Sequence, residues 1–142
     1  MTNFKDDRGK SWFDVFPMLS INGQINFNIS YPGTIKAFHR HKNQTDFFFC
    51  LEGEMRVATV KETVDPQADS GVDPYIHHEL EIHYLSQGDL LEIESNVWHG
   101  FQVLGNEPVK MLYYVTNKFD PSEPDEERAD WDAFFNWEIE KK

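Results

Sequence analysis

The sequence predicts an all-β protein, a barrel or sandwich built from many short strands. Apolar runs recur at short intervals along the 142 residues, and turn signals such as Asn22-Gly23, Gly53 and Gly88 separate them. Helical periodicity is almost absent. With 39% hydrophobic and 15% aromatic residues, the chain can bury a core of its own, and its length suits one ordinary domain. We therefore expect a single domain spanning residues 1–142.

The individual strands follow from alternation and from the turns between them. Isoleucine and phenylalanine alternate with asparagine in segment 25–31, which is typical of a half-buried strand. The acidic segment 61–74, with its prolines and glycine, is predicted to be an exposed loop. The tail, 124–136, is predicted to be irregular or to hold a short helical turn. Seven further apolar runs are predicted strands: 34–41, 46–51, 55–60, 77–85, 90–94, 98–104 and 109–116.

Charge and cysteine content limit the partners and the compartment. The formal net charge of −12 disfavours nucleic acid and membrane as partners, because both would repel the chain. No stretch has the length of a transmembrane helix, and charges stand where a signal peptide needs an apolar run. The single cysteine, Cys50, lies in an apolar run and is expected to be a buried thiol. A lone cysteine indicates a reducing compartment, so a cytoplasmic location is expected.

Three histidines and one carboxylate are spaced as a candidate metal site. His39 and His41 lie two residues apart on one predicted strand, so their side chains share a face. Asp46 begins the next strand, and closure of a barrel would bring His99 alongside. Imidazoles with one carboxylate suit a divalent metal such as iron, manganese, nickel or zinc. The alternative is an interior cluster of the same residues that works without metal.

Other polar residues near these motifs have simpler interpretations. Lys36 and Arg40 alternate with the two histidines along the strand, so they are expected to face outward. His77 and His83 share a face with neighbouring glutamates and are expected to lie on a solvated surface.

The ordered spacing is that of a known family. Gly33, His39, His41, Asp46 and Gly53 form the first cupin motif, with Asp where Glu is commoner. A second motif fits more loosely and comprises Gly88, Glu94, Asn96, His99 and Val103. Over nearly its whole length the sequence resembles the dTDP-4-dehydrorhamnose 3,5-epimerase-related cupins. The segments that carry this resemblance are Asp7-Arg8-Gly9, 31–48, 97–101, 106–108, 119–128 and Phe135-Asn136-Trp137.

The resemblance implies a cupin double-stranded β-helix (jelly-roll) barrel, a homodimer, with a sugar or nucleotide-sugar as substrate in its bowl. It implies that His39 is the base that removes a proton next to a keto group, that Tyr113 is the opposing acid, and that His99 is the second histidine of the site. Asp46 stands where the epimerases have a lysine that stabilises the enolate. The carboxylate that orients the base lies in a C-terminal extension that this chain lacks. A metal held by the histidines and Asp46 would instead supply the positive charge.

The sequence is compatible with three functions. The first is a carbohydrate isomerase or epimerase that moves a proton next to a carbonyl, assisted by metal or driven by His39. The second is another metal-dependent cupin enzyme, such as an iron-dependent oxygenase or a lyase. The third is a sugar-binding barrel without catalysis. Arg8, Phe48 and Phe101 are candidate substrate contacts, although both phenylalanines also suit a core.

Overall fold

The computed structural model describes residues 1–64 and 76–138, which form eleven strands and no helix. The strands are β1 (Thr2–Asp6), β2 (Gly9–Phe13), β3 (Gln24–Ser30), β4 (Ile35–Arg40), β5 (Asp46–Glu52), β6 (Glu54–Val64), β7 (Ile76–Leu85), β8 (Leu90–Ile93), β9 (Trp98–Leu104), β10 (Val109–Val115) and β11 (Glu127–Arg128). They pair antiparallel in a six-stranded sheet of order β1-β2-β3-β10-β5-β8 and a five-stranded sheet of order β11-β4-β9-β6-β7. The predicted all-β architecture is confirmed.

The main core lies between the two sheets. Alternate residues of β5, β6, β9 and β10 point inward, as the period of two along a strand requires. Cys50 belongs to this core and is 0% exposed, which confirms the predicted buried thiol, and burial raises the pKa of that thiol. The buried members are Phe48, Cys50, Met55, Val57, Leu85, Ile93, Val97, Phe101, Val103, Val109 and Met111.

Strand β3 departs from the usual burial pattern. Its polar residues are the buried half, whereas its apolar residues point outward and stay partly exposed. Buried polar groups need partners, and these have them: the Asn28 amide donates to the Ser11 hydroxyl at 2.7 Å, and the Gln24 amide donates to Asn26 Oδ1 at 2.8 Å. One wall of the interior is therefore polar.

A second core lies on the outer side of the five-stranded sheet, where the C-terminal tail packs. Trp137 is 1% exposed and lies 5.6 Å from Phe38 between ring centroids. Its indole N–H donates to the Trp131 carbonyl at 2.6 Å, and its own carbonyl accepts from Arg56. The tail is irregular apart from β11, so the helical turn considered for 124–136 is not present.

Two strands and one strand end differ most from the prediction. Strands β1 and β2 were not predicted, because their sequences are short and mostly polar. Strand β6 runs on to Val64, so the first four residues of the predicted loop 61–74 are strand; they pair with β7. The remainder of that loop lies outside the described residues. In the part of the chain that the structure describes, no helix is long and apolar enough to cross a membrane.

Replacing Trp137 by alanine should destabilise the fold by about 3–5 kcal/mol, because it leaves a cavity in the second core and removes the indole hydrogen bond to the Trp131 carbonyl. Trp131→Ala is the matched control: its side chain is 51% exposed and its carbonyl is unchanged, so a loss below about 1 kcal/mol is expected. Urea unfolding of both variants measures the difference. Equal losses of unfolding free energy in the two variants would show that the tail does not pack over a core.

Candidate functional site

The four candidate ligands come from three strands and one turn at the same end of the barrel. His39 lies on β4 and pairs directly with His99 on β9, so both rings face the interior. His41 follows the end of β4, and Asp46 is the first residue of β5. The prediction that these residues meet inside one barrel is correct.

The three imidazoles surround the carboxylate. Ring centroids are 4.7 Å apart for His39 and His99, 5.6 Å for His41 and His99, and 5.9 Å for His39 and His41. The Oδ2 atom of Asp46 lies 3.3 Å from His99 Nε2 and 3.5 Å from His41 Nε2. The amide of Gln44 donates to the other oxygen, Oδ1, at 2.7 Å.

In two of the rings, a hydrogen bond to a main-chain carbonyl determines which ring nitrogen faces the centre of the cluster. His41 Nδ1 is 2.6 Å from the carbonyl of Asp125, and His99 Nδ1 is 3.0 Å from the carbonyl of Val97. A carbonyl oxygen only accepts, so each Nδ1 carries the proton and donates it. The Nε2 atoms of both rings therefore face Asp46: in a neutral ring this nitrogen offers a lone pair to a metal, as metal-ligating histidines do, and in an imidazolium it donates an N–H to the carboxylate.

These residues fit a metal ion. One ligand atom each from His41, Asp46 and His99 lie within 4.8 Å of one another, so the three side chains can hold a metal. Moreover, His99 Nε2 is buried without a hydrogen-bond partner, although Asp46 Oδ2 lies 3.3 Å away. A buried orphaned acceptor is costly, and a cation would satisfy it. His39 lies beside this set and is not a member of it.

The electrostatics of the cluster follow from its burial. Burial alone would raise the pKa of Asp46, but the contacts with His41 and His99 outweigh it and hold that pKa well below its usual value. Burial lowers the pKa of His41, and the contact with Asp46 more than compensates, so the net shift is upward. Asp46 is thus a carboxylate at neutral pH.

His39 differs from the other two histidines. Burial lowers its pKa to about 3, with the neighbouring His99 and His41 adding to the effect, so the ring is neutral at pH 7. Its Nδ1 lies 3.6 Å from a carboxylate oxygen of Glu126. The resemblance implied that this chain lacks the carboxylate that orients the base, but the C-terminal tail brings Glu126 to that ring. No spacing in the sequence connects the two residues.

Comparisons with known proteins agree with this geometry. The chain is 36% identical over 123 residues to the spore coat polysaccharide biosynthesis protein SpsL of Bacillus subtilis, covering 83% of this chain and 76% of SpsL. It is 32% identical over 107 residues to Agl13 of Haloferax volcanii, named a probable low-salt glycan biosynthesis epimerase, covering 75% of this chain and 65% of Agl13. No protein-family model matches the chain.

The chain belongs to the dTDP-4-dehydrorhamnose 3,5-epimerase-related cupins. Among solved structures, the capsular polysaccharide assembling protein CapF of Staphylococcus aureus matches with a TM-score of 0.69 and 24% identity, over 89% of this chain and 31% of CapF. That likeness shows the cupin fold alone. This chain spans about three quarters of SpsL, somewhat under two thirds of Agl13, and about a third of CapF.

The inner wall of this cupin next to the histidines is aromatic. Phe48 lies 6.0 Å from His99 and 6.2 Å from Tyr113 between ring centroids, so it contacts both the acid predicted by resemblance and one ring of the histidine cluster. Burial and the charge of Asp46 raise the pKa of Tyr113 far above its usual value, and its hydroxyl hydrogen-bonds Asn26. Phe48 and Phe101 are both part of the main core as well as neighbours of the site.

The tail of the cupin holds the site in place through Asp125. Its carboxylate accepts hydrogen bonds from the backbone N–H groups of Lys42, Asn43 and Gln44, at 2.8, 2.9 and 3.2 Å. Its carbonyl holds His41. One tail residue therefore fixes both a ligand ring and the turn that leads to Asp46, a role that the sequence did not suggest.

The prediction that Lys36 faces outward is wrong. Lys36 pairs with Phe101 and His39 pairs with His99, so the register shifts between them and Ala37 and Phe38 both lie opposite Gly100. A Cβ atom on Gly100 would come within 2.3 Å of the Ala37 Cβ, which is why glycine is needed there. Lys36 consequently shares the inner face with His39. Burial, followed by the charge of Arg8, lowers its pKa.

Other basic and histidine residues lie away from the centre. Arg40 faces outward as predicted, but it is held firmly: it pairs with Glu62 at 2.9 Å and Glu127 at 3.0 Å and stacks over Trp98. Arg8 is half-exposed in the β1–β2 turn and pairs with Asp6. His83 is only partly exposed, because it contacts the Thr59 hydroxyl at 3.0 Å.

The purified chain should bind about one equivalent of Co(II), and His41→Ala and His99→Ala should each weaken that binding at least about 100-fold, because each removes a ligand. Cobalt absorption bands give the stoichiometry and affinity. His78→Ala, which removes an exposed histidine of β7, is the matched control and should bind normally. Full binding by His99→Ala would refute the assignment.

Asp125→Ala should lower Co(II) affinity about 10-fold or more, because the turn at 42–44 and the His41 ring lose their anchor. Asp120→Ala is the control: Asp120 also accepts backbone hydrogen bonds in the tail, but from its own turn, at Ser122 and Glu123. Thermal unfolding of both variants separates a local effect from loss of fold. Equal metal affinity of the two variants would contradict the positioning role.

Proposed function

We propose that this cupin is a carbohydrate epimerase or isomerase that transfers a proton next to the carbonyl of a sugar, and that the sugar is nucleotide-linked. The observation that carries the proposal is that a neutral imidazole, His39 on β4, and a protonated phenol, Tyr113 on β10, come from opposite sheets of one barrel. The sugar-polymer biosynthesis named for SpsL, and the epimerase activity named for Agl13, support the same class.

His39 has the properties of the base. Its ring is neutral at pH 7, so one nitrogen has a free lone pair for the proton beside the carbonyl. The Glu126 carboxylate near Nδ1 stabilises the imidazolium that forms when the other nitrogen accepts the proton. The low pKa makes His39 a weak base, so the reaction depends on strong stabilisation of the enolate.

Tyr113 has the properties of the acid. Its raised pKa keeps the hydroxyl protonated over the physiological range, and the hydrogen bond with Asn26 orients it. It can therefore return a proton to the carbon from the opposite wall, which inverts the configuration when the base has acted on the other face.

Two sources of positive charge serve different parts of the substrate, the enolate and the diphosphate. A divalent metal held by His41, Asp46 and His99 would act as a Lewis acid that polarises the carbonyl, which replaces the lysine that the epimerases have at the position of Asp46. Lys36, on the inner face beside Arg8, offers a cation for the diphosphate of a nucleotide-sugar.

A second candidate is a metal-dependent cupin enzyme of another class, such as an iron-dependent oxygenase or lyase. The ligand set of His41, Asp46 and His99 favours it, since two histidines and a carboxylate suit iron(II) as well as zinc. Oxygen consumption that requires added Fe(II) and a small-molecule substrate would favour this function over proton transfer.

Incubated in D2O with nucleotide-linked 4-keto sugars, the chain should exchange deuterium into the carbon next to the carbonyl without consuming oxygen. His39→Gln should slow that exchange at least about 100-fold, because the proton acceptor is lost, while NMR detects any residual label. Tyr113→Phe should leave the initial exchange largely intact and block epimerisation.

The controls are His78→Gln on the outer surface and Tyr84→Phe on β7, whose side chain is 69% exposed; both should retain activity. Tight sugar binding by isothermal calorimetry together with no exchange in the wild type would instead identify a sugar-binding barrel. Unchanged exchange in His39→Gln would exclude the proposed base.

A further inference from the structure

The two carboxylate oxygens of Asp46 have separate partners. Oδ2 faces the histidines, at 3.3 Å from His99 Nε2 and 3.5 Å from His41 Nε2. Oδ1 accepts a hydrogen bond from the side-chain amide of Gln44, whose nitrogen lies 2.7 Å away. Asp46 is buried and Gln44 is only partly exposed, so little water competes for this bond. One oxygen of Asp46 is therefore available to a metal ion held with the histidines, and the other is occupied by Gln44.

The turn that carries Gln44 is anchored by backbone hydrogen bonds. The N–H of Gln44 donates to Asp125 Oδ2 at 3.2 Å. The N–H of Thr45 donates to the Thr116 hydroxyl at 2.9 Å, and the Thr45 carbonyl accepts from the Thr116 N–H at 3.2 Å. Because residues of the tail and of the segment after β10 hold this turn, the amide of Gln44 is kept beside Asp46 Oδ1. Moving it away would break several of these bonds.

The number of carboxylate oxygens that a site offers affects which ions bind to it. Ca²⁺ takes about 6–8 oxygen ligands and often binds both oxygens of one carboxylate, and Mg²⁺ also prefers oxygen. Zn²⁺ and Co²⁺ accept imidazole nitrogens together with a single carboxylate oxygen, in sets of about four ligands. With Oδ1 occupied, His41, Asp46 and His99 offer two nitrogens and one oxygen. That set suits the second group of ions and leaves room for an oxygen of the substrate.

We propose that Gln44 is a positioning residue that restricts Asp46 to binding through one oxygen, and that it thereby makes the site selective for ions such as Co²⁺ and Zn²⁺ over Mg²⁺ and Ca²⁺. The inference rests on the metal site of the proposed function and adds the class of ion to it. The hydrogen bond also draws negative charge away from the carboxylate, so a bound ion retains more charge for polarising a carbonyl. If Gln44 only satisfied a buried oxygen, its loss would lower stability and leave the preference among ions unchanged.

Titration of the full chain with Co(II), followed by competition with Ca²⁺, tests this role. The wild type should show intense visible bands, typical of Co(II) with few ligands, and should bind Co(II) at least about 1,000-fold more tightly than Ca²⁺. Gln44→Met keeps the length of the side chain and removes the amide, so Oδ1 is free to bind the ion. The bands should weaken, and the preference for Co(II) over Ca²⁺ should fall at least about 10-fold. Gln44→Glu adds a carboxylate and should lower that preference further.

Gln24→Met is the matched control. Gln24 is also a buried glutamine, but its amide donates to Asn26 Oδ1, so the bands and the ion preference should be those of the wild type. Circular dichroism confirms that each variant is folded. If Gln44→Met does not fold, Gln44→Asn takes its place, because its shorter side chain does not reach Oδ1 and keeps the turn polar.

Unchanged bands and an unchanged ion preference in the folded Gln44 variants would overturn the role of Gln44 and leave the metal site standing. A wild type that binds no Co(II) would overturn both. Deuterium exchange on the sugar is measured separately: a wild type that shows the expected ion preference without any exchange would reject the proposed proton transfer alone.

Discussion

The structure of the site depends on a buried charge. Asp46 is 5% exposed, and an isolated carboxylate in that position would be very costly. Two imidazole nitrogens approach one of its oxygens, and the Gln44 amide binds the other. Each of these partners must itself be held, so the carbonyls of Val97 and Asp125 fix the two rings. Burying this carboxylate therefore requires groups from β5, β9 and the C-terminal tail to be held around it.

The C-terminal tail contributes both to the stability of the cupin and to the geometry of its site. Trp137 and its neighbours seal the second core, and twelve residues earlier Asp125 holds the His41 ring and the turn that leads to Asp46. Glu126 then meets His39, Glu127 pairs with Arg40, and β11 adds to the edge of β4. A segment that covers an apolar face is thus also the segment that orients two histidines, so loosening the second core should disturb the site before the main core unfolds.

Local periodicity was enough to predict most strands and the inward pair of histidines, because a spacing of two fixes the face within one strand. It failed where a contact with a distant part of the chain sets the orientation or the role of a residue. The register shift opposite Gly100 turns Lys36 from the outer face of the sheet to the inner face, and the sequence pattern of β4 alone does not predict that shift. Asp125 and Glu126 reach the histidines across more than eighty residues of chain, so their roles appear only once the tail is placed. The alternation in β3 predicted the strand, yet its polar half is the buried half.

The burial of the polar residues of β3 affects both the interior of the barrel and its outer surface. A bowl that handles a polar sugar needs hydrogen-bonding groups on its wall, and β3 supplies Asn26 beside Tyr113, with Asn28 and Ser30 further along. Since successive side chains of a strand alternate, committing the polar half to the bowl sends Ile25, Phe27 and Ile29 outward. Apolar residues at those positions favour a β-strand but leave apolar surface exposed to water. Strand β3 thus presents a polar face to the interior of the barrel, where the chemistry is proposed, and an apolar face to the outside of the six-stranded sheet.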